Sequence, residues 1–181
     1  MKTISLIVFT LVSAVTACAG QAPVAPPPSA SSSLRFGHVA LAVRDLSASI
    51  HWYADAFGFV AVAPPADLAV DDSPLGRVAT ALFGRELKRV RIAQLKTPDG
   101  IGIELFEFTD PRLPWSSYSS TGGILHFAVV APSFDSTLAR LERLGAHAIV
   151  LNDANPTRRV VFISDPDGHI VEIASRSWDG M

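Results

Sequence analysis

Two histidines and two glutamates occupy matching places in the two halves of a 181-residue chain, and together they form a ligand set for one divalent cation. Pro98-Asp99-Gly100 is followed four residues later by Glu104, and Pro166-Asp167-Gly168 four residues later by Glu172. Each copy has its own histidine in an apolar run, His38 within residues 36–43 and His126 within residues 124–131. Taken singly, each residue has a plainer explanation. A histidine in an apolar strand is usually satisfied in the core or at the surface. A glutamate in a strand faces water or pairs with an arginine such as Arg89, Arg91, Arg158 or Arg159. Taken together they favour an ion, because two carboxylates gathered in one cavity repel and desolvate each other unless a cation lies between them. His51, His147 and His169 lack such a partner and read as helix-surface, strand-start and turn-adjacent residues.

The elements that must position these groups repeat in the same order, which marks an internal duplication. After His38, Asp45 caps a helix whose apolar positions Leu46, Ile50, Tyr53, Ala54 and Phe57 recur at helical spacing, and Gly58 stops it. After His126, Ser133, just after Pro132, caps a helix carrying Phe134, Leu138 and Leu141, which ends at Gly145. A single strand follows each helix (59–63; 146–151), then a hairpin (89–96 with 101–108; 158–164 with 169–175) whose turn is the Pro-Asp-Gly unit. Proline pre-sets one turn angle and glycine accepts positive φ. Each half therefore reads as βαβββ.

Residues two apart on a strand share a face. Ala40 accompanies His38, Gly102 accompanies Glu104, Ala128 accompanies His126 and Ala174 accompanies Glu172. Small residues beside polar ones on one face leave room for a cavity with donor groups in it. Val39, Leu41, Ile103, Leu105, Phe127, Val129, Val171 and Ile173 fill the other face, under the helices.

Over residues 34–175 the sequence resembles the vicinal oxygen chelate superfamily, which groups glyoxalases, bleomycin resistance proteins and extradiol dioxygenases. The resemblance rests on Gly37-His38-Val39-Ala40-Leu41, Ile103-Glu104-Leu105, Leu125-His126-Phe127-Ala128 and Asp165-Pro166-Asp167-Gly168-His169-Ile170-Val171-Glu172-Ile173. It implies an α+β fold in which two βαβββ modules form an open, cupped mixed β-barrel around a metal site. His38, Glu104, His126 and Glu172 would be the metal ligands. Extradiol and fosfomycin-inactivating members resemble a pattern without a ligand at the position of Glu104, epimerase-like members usually place glutamine there, and antibiotic-sequestering members usually lack the ligands. With all four present, the chain is most similar to lactoylglutathione lyase-like members. That implies a lyase or isomerase working through an enediolate on a small-molecule substrate with vicinal oxygens, with Glu172 as base and Glu104 as partner on the opposite face. The alternatives are a ferrous extradiol-type dioxygenase and a non-catalytic binding or resistance protein. One divalent ion is implied, and nickel, zinc, cobalt, manganese and iron all accept mixed nitrogen and oxygen donors. Relatives build the site within one chain or across a swapped homodimer, and the ligands here permit both.

The first module (34–109) is longer than the second (123–175) by an insertion at 64–88. There Asp72-Ser73-Pro74 looks like a helix start, and Leu75, Val78, Ala79 and Leu82 form one apolar stripe, so the insertion is expected to lid or flank the pocket. A linker (110–122) carrying Arg112, Trp115 and Tyr118 joins the modules, and a short tail (176–181) follows.

Residues 1–18 read as a signal peptide: basic Lys2, an apolar stretch from Ile4 to Val12, then small residues before Cys18. Val15-Thr16-Ala17-Cys18 resembles a lipobox, which implies lipidation of Cys18, and Ala19 implies outer-membrane sorting of an exported lipoprotein facing the periplasm. Cleavage after Ala17-Cys18-Ala19 would instead give a soluble periplasmic protein. Residues 19–33, rich in proline, alanine and serine, read as a tether. Cys18 is the only cysteine, so the domain has no disulfide to stabilise it. A net charge of −2 offers no basic face for nucleic acid.

Overall fold

Asp45 begins the first helix as its spacing predicts: the carboxylate accepts from the Ala48 amide at 3.0 Å, and α1 (Leu46–Phe57) follows. Gly58, at φ 72°, ends it by donating back to Ala54. This computed structural model describes residues 35–69, 71–112, 124–152 and 157–177. The expected signal peptide, Cys18, the tether, all but the first residues of the linker and the last four residues of the tail lie outside the described residues. The chain divides after Arg35, and the body Phe36–Met181 is considered by itself.

The first sheet contains β1 (His38–Ala42), β2 (Val60–Ala61), β3 (Ala66–Ala69), β4 (Arg89–Lys96) and β5 (Gly102–Asp110). Its order is β1-β5-β4-β2, and β3 pairs beside β2 along the outer edge of β4. The second sheet contains β6 (Phe127–Val130), β7 (Ala148–Asn152), β8 (Val160–Ser164) and β9 (Ile170–Ala174), in the order β6-β9-β8-β7. β1 runs parallel to β5 and β6 parallel to β9, while the other pairs are antiparallel. The two βαβββ halves thus take the same topology, as two mixed sheets rather than a closed barrel.

Each sheet buries one face under its helix. Leu41, Val43, Ala93, Leu95, Ile103 and Leu105 pack with Leu46 and Tyr53 of α1. Val161, Ile163, Val171 and Ile173 pack with Phe134 and Leu141 of α3 (Phe134–Arg143). Burying a side chain of this size is worth about 1.5–3 kcal/mol. Trp52, Phe57 and Phe127 touch both clusters, so the two cores are joined. Arg140 of α3 adds a hydrogen bond to the Ala56 carbonyl at 2.9 Å.

Three local expectations are corrected. Ser133 precedes α3 but makes no side-chain cap hydrogen bond; Asp135 in the first turn and Arg140 and Arg143 in the last complement the helix dipole instead. The insertion holds a strand, β3, as well as the expected helix, α2 (Pro74–Phe83), which Ser73 caps by accepting from Gly76 at 3.0 Å. The expected single stripe on α2 also divides: Ala79 is buried, whereas Leu75, Val78 and Leu82 are exposed.

Candidate functional site

Register puts the first pair of donors together. β1 and β5 match His38 with Gly102 and Ala40 with Glu104, so all four side-chain positions share one sheet face. His38 Nε2 lies 3.4 Å from Glu104 Oε2, and Gln94 of β4, directly across from Glu104, donates from Nε2 to Oε1 at 2.8 Å. The imidazole is open, 56 % exposed against 19 % for the carboxylate. Gly102 makes the approach feasible: a Cβ there would stand 2.8 Å from the Cβ of His38.

The second pair repeats this with different supports. His126 precedes β6, and its Nε2 lies 3.0 Å from Glu172 Oε2. Ala128 faces Glu172 across the parallel pair, as Ala40 faces Glu104. Opposite Glu172 on β8, where the first half has Gln94, stands Phe162, its ring edge-on to His126 at 5.3 Å. The second carboxylate is held by a cation, Arg158 donating to Glu172 Oε1 at 2.9 Å. The arginine pairing that the sequence leaves open is therefore made by Glu172, while Glu104 takes a neutral amide.

The four donors come together two by two. Among the described residues no group of three or more His, Cys, Asp or Glu side chains is placed to hold one metal ion. Each module fits half of such a site: one solvent-open imidazole in contact with one carboxylate, whose second oxygen is already fixed by a neighbour. Imidazole with carboxylate is a donor pair suited to a first-row divalent metal.

His169, read from sequence as a turn-adjacent residue without a partner, is buried and hydrogen-bonded. With the carboxylate ionised, His169 Nδ1 donates to Asp165 Oδ2 at 2.8 Å, as does the Tyr53 hydroxyl of α1 at the same distance. The amides of Asp167 and His169 donate to Asp165 Oδ1. Asp167 in turn accepts from the Arg44 amide and guanidinium and from Ser49, each at 3.0 Å, tying the second Pro-Asp-Gly turn to the start of α1. Burial alone would raise the Asp165 carboxyl, but the hydrogen bond and charge of His169 and the hydroxyl of Tyr53 outweigh it and hold the group below its usual range. Burial, followed by the charge of Asp165, pushes the Tyr53 hydroxyl well above its ordinary value. The sequence carried a signal for this cluster. The second turn is flanked by Asp165 and His169 where the first has Thr97 and Ile101.

The sequence profile of the Glyoxalase/Bleomycin resistance protein/Dioxygenase superfamily matches residues 35–173. The chain belongs to this superfamily. Among solved structures it is similar to a glyoxalase family protein from Bacillus cereus at 23 % identity and a TM-score of 0.67, over 81 % of this chain and 97 % of that one. A glyoxalase/dioxygenase from Nostoc punctiforme is 25 % identical with a TM-score of 0.55, over 84 % and 97 % of the two chains. The fosfomycin resistance protein FosX from Mesorhizobium loti is 16 % identical with a TM-score of 0.51, over 80 % and 94 %. No curated protein matches the chain. Superfamily membership and these likenesses agree with the two βαβββ modules, and the superfamily's members include glyoxalases, fosfomycin resistance proteins and dioxygenases.

Proposed function

We propose that this superfamily member is a divalent-metal-dependent isomerase or lyase of the lactoylglutathione lyase type, acting through an enediolate on a small molecule with neighbouring oxygens. The observation that supports it is the duplicated contact of His38 with Glu104 and His126 with Glu172 at equivalent places in the two modules. Two neutral imidazoles and two carboxylates balance a dication and leave room for two substrate oxygens. Bound there, a nickel, zinc, cobalt, manganese or ferrous ion would supply Lewis acidity to the substrate carbonyl, making the adjacent C–H more acidic. The chain's own residues move the proton. Arg158 fixes Oε1 of Glu172, which leaves Oε2 as the atom that takes it from carbon; Gln94 fixes Oε1 of Glu104 in the same way, on the opposite face of the substrate.

A second copy of the chain completes the site in this reading. His38 and Glu104 of one copy meet His126 and Glu172 of the other, because each chain presents its donors as two separate open pairs and its two cores are already joined through Trp52, Phe57 and Phe127. The protein is further proposed to be an exported lipoprotein, anchored through Cys18 to the outer membrane and facing the periplasm. Cys18→Ser should then move it from the membrane to the soluble periplasmic fraction.

The decisive experiment is metal analysis of the purified protein, followed by hemithioacetal conversion and oxygen-uptake assays with each metal. Conversion without oxygen consumption, reduced about 10²–10⁴-fold by Glu172→Gln, is expected. Oxygen consumption with a catechol, undiminished by Glu104→Ala, would replace the reading with a dioxygenase, and ligand binding that survives Glu172→Gln without turnover would replace it with a binding protein. Mixing inactive His38→Ala and His126→Ala chains should restore roughly a quarter of wild-type activity, since half the dimers are mixed and each mixed dimer has one intact site. No recovery would place all four donors within one chain.

A further inference from the structure

The face of the first sheet that carries His38 and Glu104 changes character along its length. On β4 the residues of this face run Lys96, Gln94, Ile92 and Val90, from exposed to buried. On β5 they run Gly102, Glu104, Phe106 and Phe108. Helix α2 packs on this same face at its apolar end. Ala79 and Phe83 join Leu68, Val90, Phe106 and Phe108 in one cluster, and the Phe83 ring meets Phe106 at 5.5 Å and Phe108 at 5.2 Å, edge-on in both cases. The opposite face belongs to α1, so α1 and α2 lie on opposite sides of the sheet. The insertion that lengthens the first module is thus a wall raised on the donor-bearing face.

Phe106 is the next residue after Glu104 on that face, about 7 Å along the strand. It pairs with Ile92 and Ala42, and Phe83, Ile92 and Phe106 are each only partly buried, so the wall keeps some apolar surface accessible. The polar end, towards the Pro-Asp-Gly turn, offers Gln94 and Lys96 instead. The His38–Glu104 pair stands at the boundary between the two.

The geometry points to an apolar subsite formed by Phe83, Ile92 and Phe106, which selects substrates carrying an aromatic or branched alkyl group one or two bonds from their chelating oxygens. This rests on the metal-site reading above and names the class of molecule that such a site accepts. A ring attached directly to the chelating carbons spans the interval from Glu104 to Phe106; a methyl group does not. Phe106 and Phe83 act here as specificity residues, touching the substrate away from the reacting atoms.

The test is calorimetric titration of the full-length, metal-loaded protein with two bidentate chelators of equal donor chemistry, acetohydroxamate and benzohydroxamate, after metal uptake has been measured in the same sample. Wild type should bind benzohydroxamate about tenfold more tightly, the effect of burying most of one ring. Phe106→Ala should reduce that preference to less than about threefold, with metal content and acetohydroxamate affinity unchanged. Phe83→Ala, which alters the wall from the helix side and leaves the strand residues unchanged, should reduce it as well and guards against a folding defect in the first variant. Metal uptake with equal affinities in wild type, or a preference that survives both substitutions, overturns the subsite and leaves the metal reading standing. A protein that takes up no metal overturns the metal reading, and the subsite with it.

Discussion

The two Pro-Asp-Gly turns have the same backbone role and opposite surroundings. Both place glycine at positive φ, 91° at Gly100 and 92° at Gly168, and both close with an amide donated back to the residue before proline. In the first turn Asp99 is exposed and bonds locally to Thr97. In the second, Asp165 and Asp167 are buried and hold Tyr53, Ser49 and Arg44 of the first module. The donor pairs differ in the same sense: Glu104 is steadied by neutral Gln94, and Glu172 by the charge of Arg158 beside Phe162. Duplication supplied one plan, and the second copy became the keystone between modules while the first stayed open to solvent. A repeated motif therefore predicts repeated backbone geometry without predicting repeated energetics.

The comparison breaks first at the aspartates. Asp165→Ala removes the shared acceptor of Tyr53, His169 and two amides and should destabilise the fold by about 3–5 kcal/mol, whereas Asp99→Ala should cost less than about 1 kcal/mol, both read from urea unfolding midpoints. Equal losses would mean that the second turn is no more structural than the first.

Acid probes the same carboxylate without mutation. The Asp165 carboxyl is lowered in the folded protein relative to the unfolded chain, so the stability it contributes is present above the unfolded value of about 3.9 and is lost as pH falls through the lower folded value. Tyr53 works in the other direction: its raised value contributes stability that is complete below the unfolded value of about 10 and is lost as pH rises through the folded one. Unfolding followed against pH should show the acid limb in wild type and a weakened one in Asp165→Asn, while Asp99→Asn should keep it.

Smaller differences sharpen the contrast between the glutamates. Glu172→Gln weakens the partner of a guanidinium that is only 19 % exposed and should cost about 1–2 kcal/mol; Glu104→Gln, which keeps a neutral contact with Gln94, should cost less than about 1 kcal/mol. Thermal melts of metal-free protein would separate the two. The helix starts differ by a similar margin: Asp45→Ala should cost about 1 kcal/mol and Ser133→Ala a few tenths at most, because only Asp45 makes its cap hydrogen bond.

Much of the fold was legible because it is local. Apolar spacing and Gly58 set α1, the strand predicted at 89–96 matches β4, and the turn chemistry set both hairpins. Residues two apart were rightly assigned to a common face, since strand geometry leaves no other choice. The second strand of each half was harder: β2 keeps only Val60–Ala61 of the expected 59–63, and the unforeseen β3 takes the far part of the same edge of β4. At the site, the histidine and glutamate of each half could be named from sequence, and each pair is in contact. Gln94, Phe162 and the choice of Arg158 among four arginines were not legible, since they depend on which residue lies across the ladder.

By itself the sequence determined the duplication, the turn positions and the amphipathic helices, and it singled out His38, Glu104, His126 and Glu172 as candidate ligands, because each of these is written in spacings of a few residues. Only the tertiary structure decided that these residues stand as two separate pairs, that α2 rises on the sheet face that His38 and Glu104 share, and that Asp165, Asp167 and His169 join the modules. The last of these rests on contacts between residues more than a hundred positions apart, such as Tyr53 with Asp165 and Ser49 with Asp167. The packing of one module's helix against the other module's turn sets such contacts, and no local periodicity encodes it.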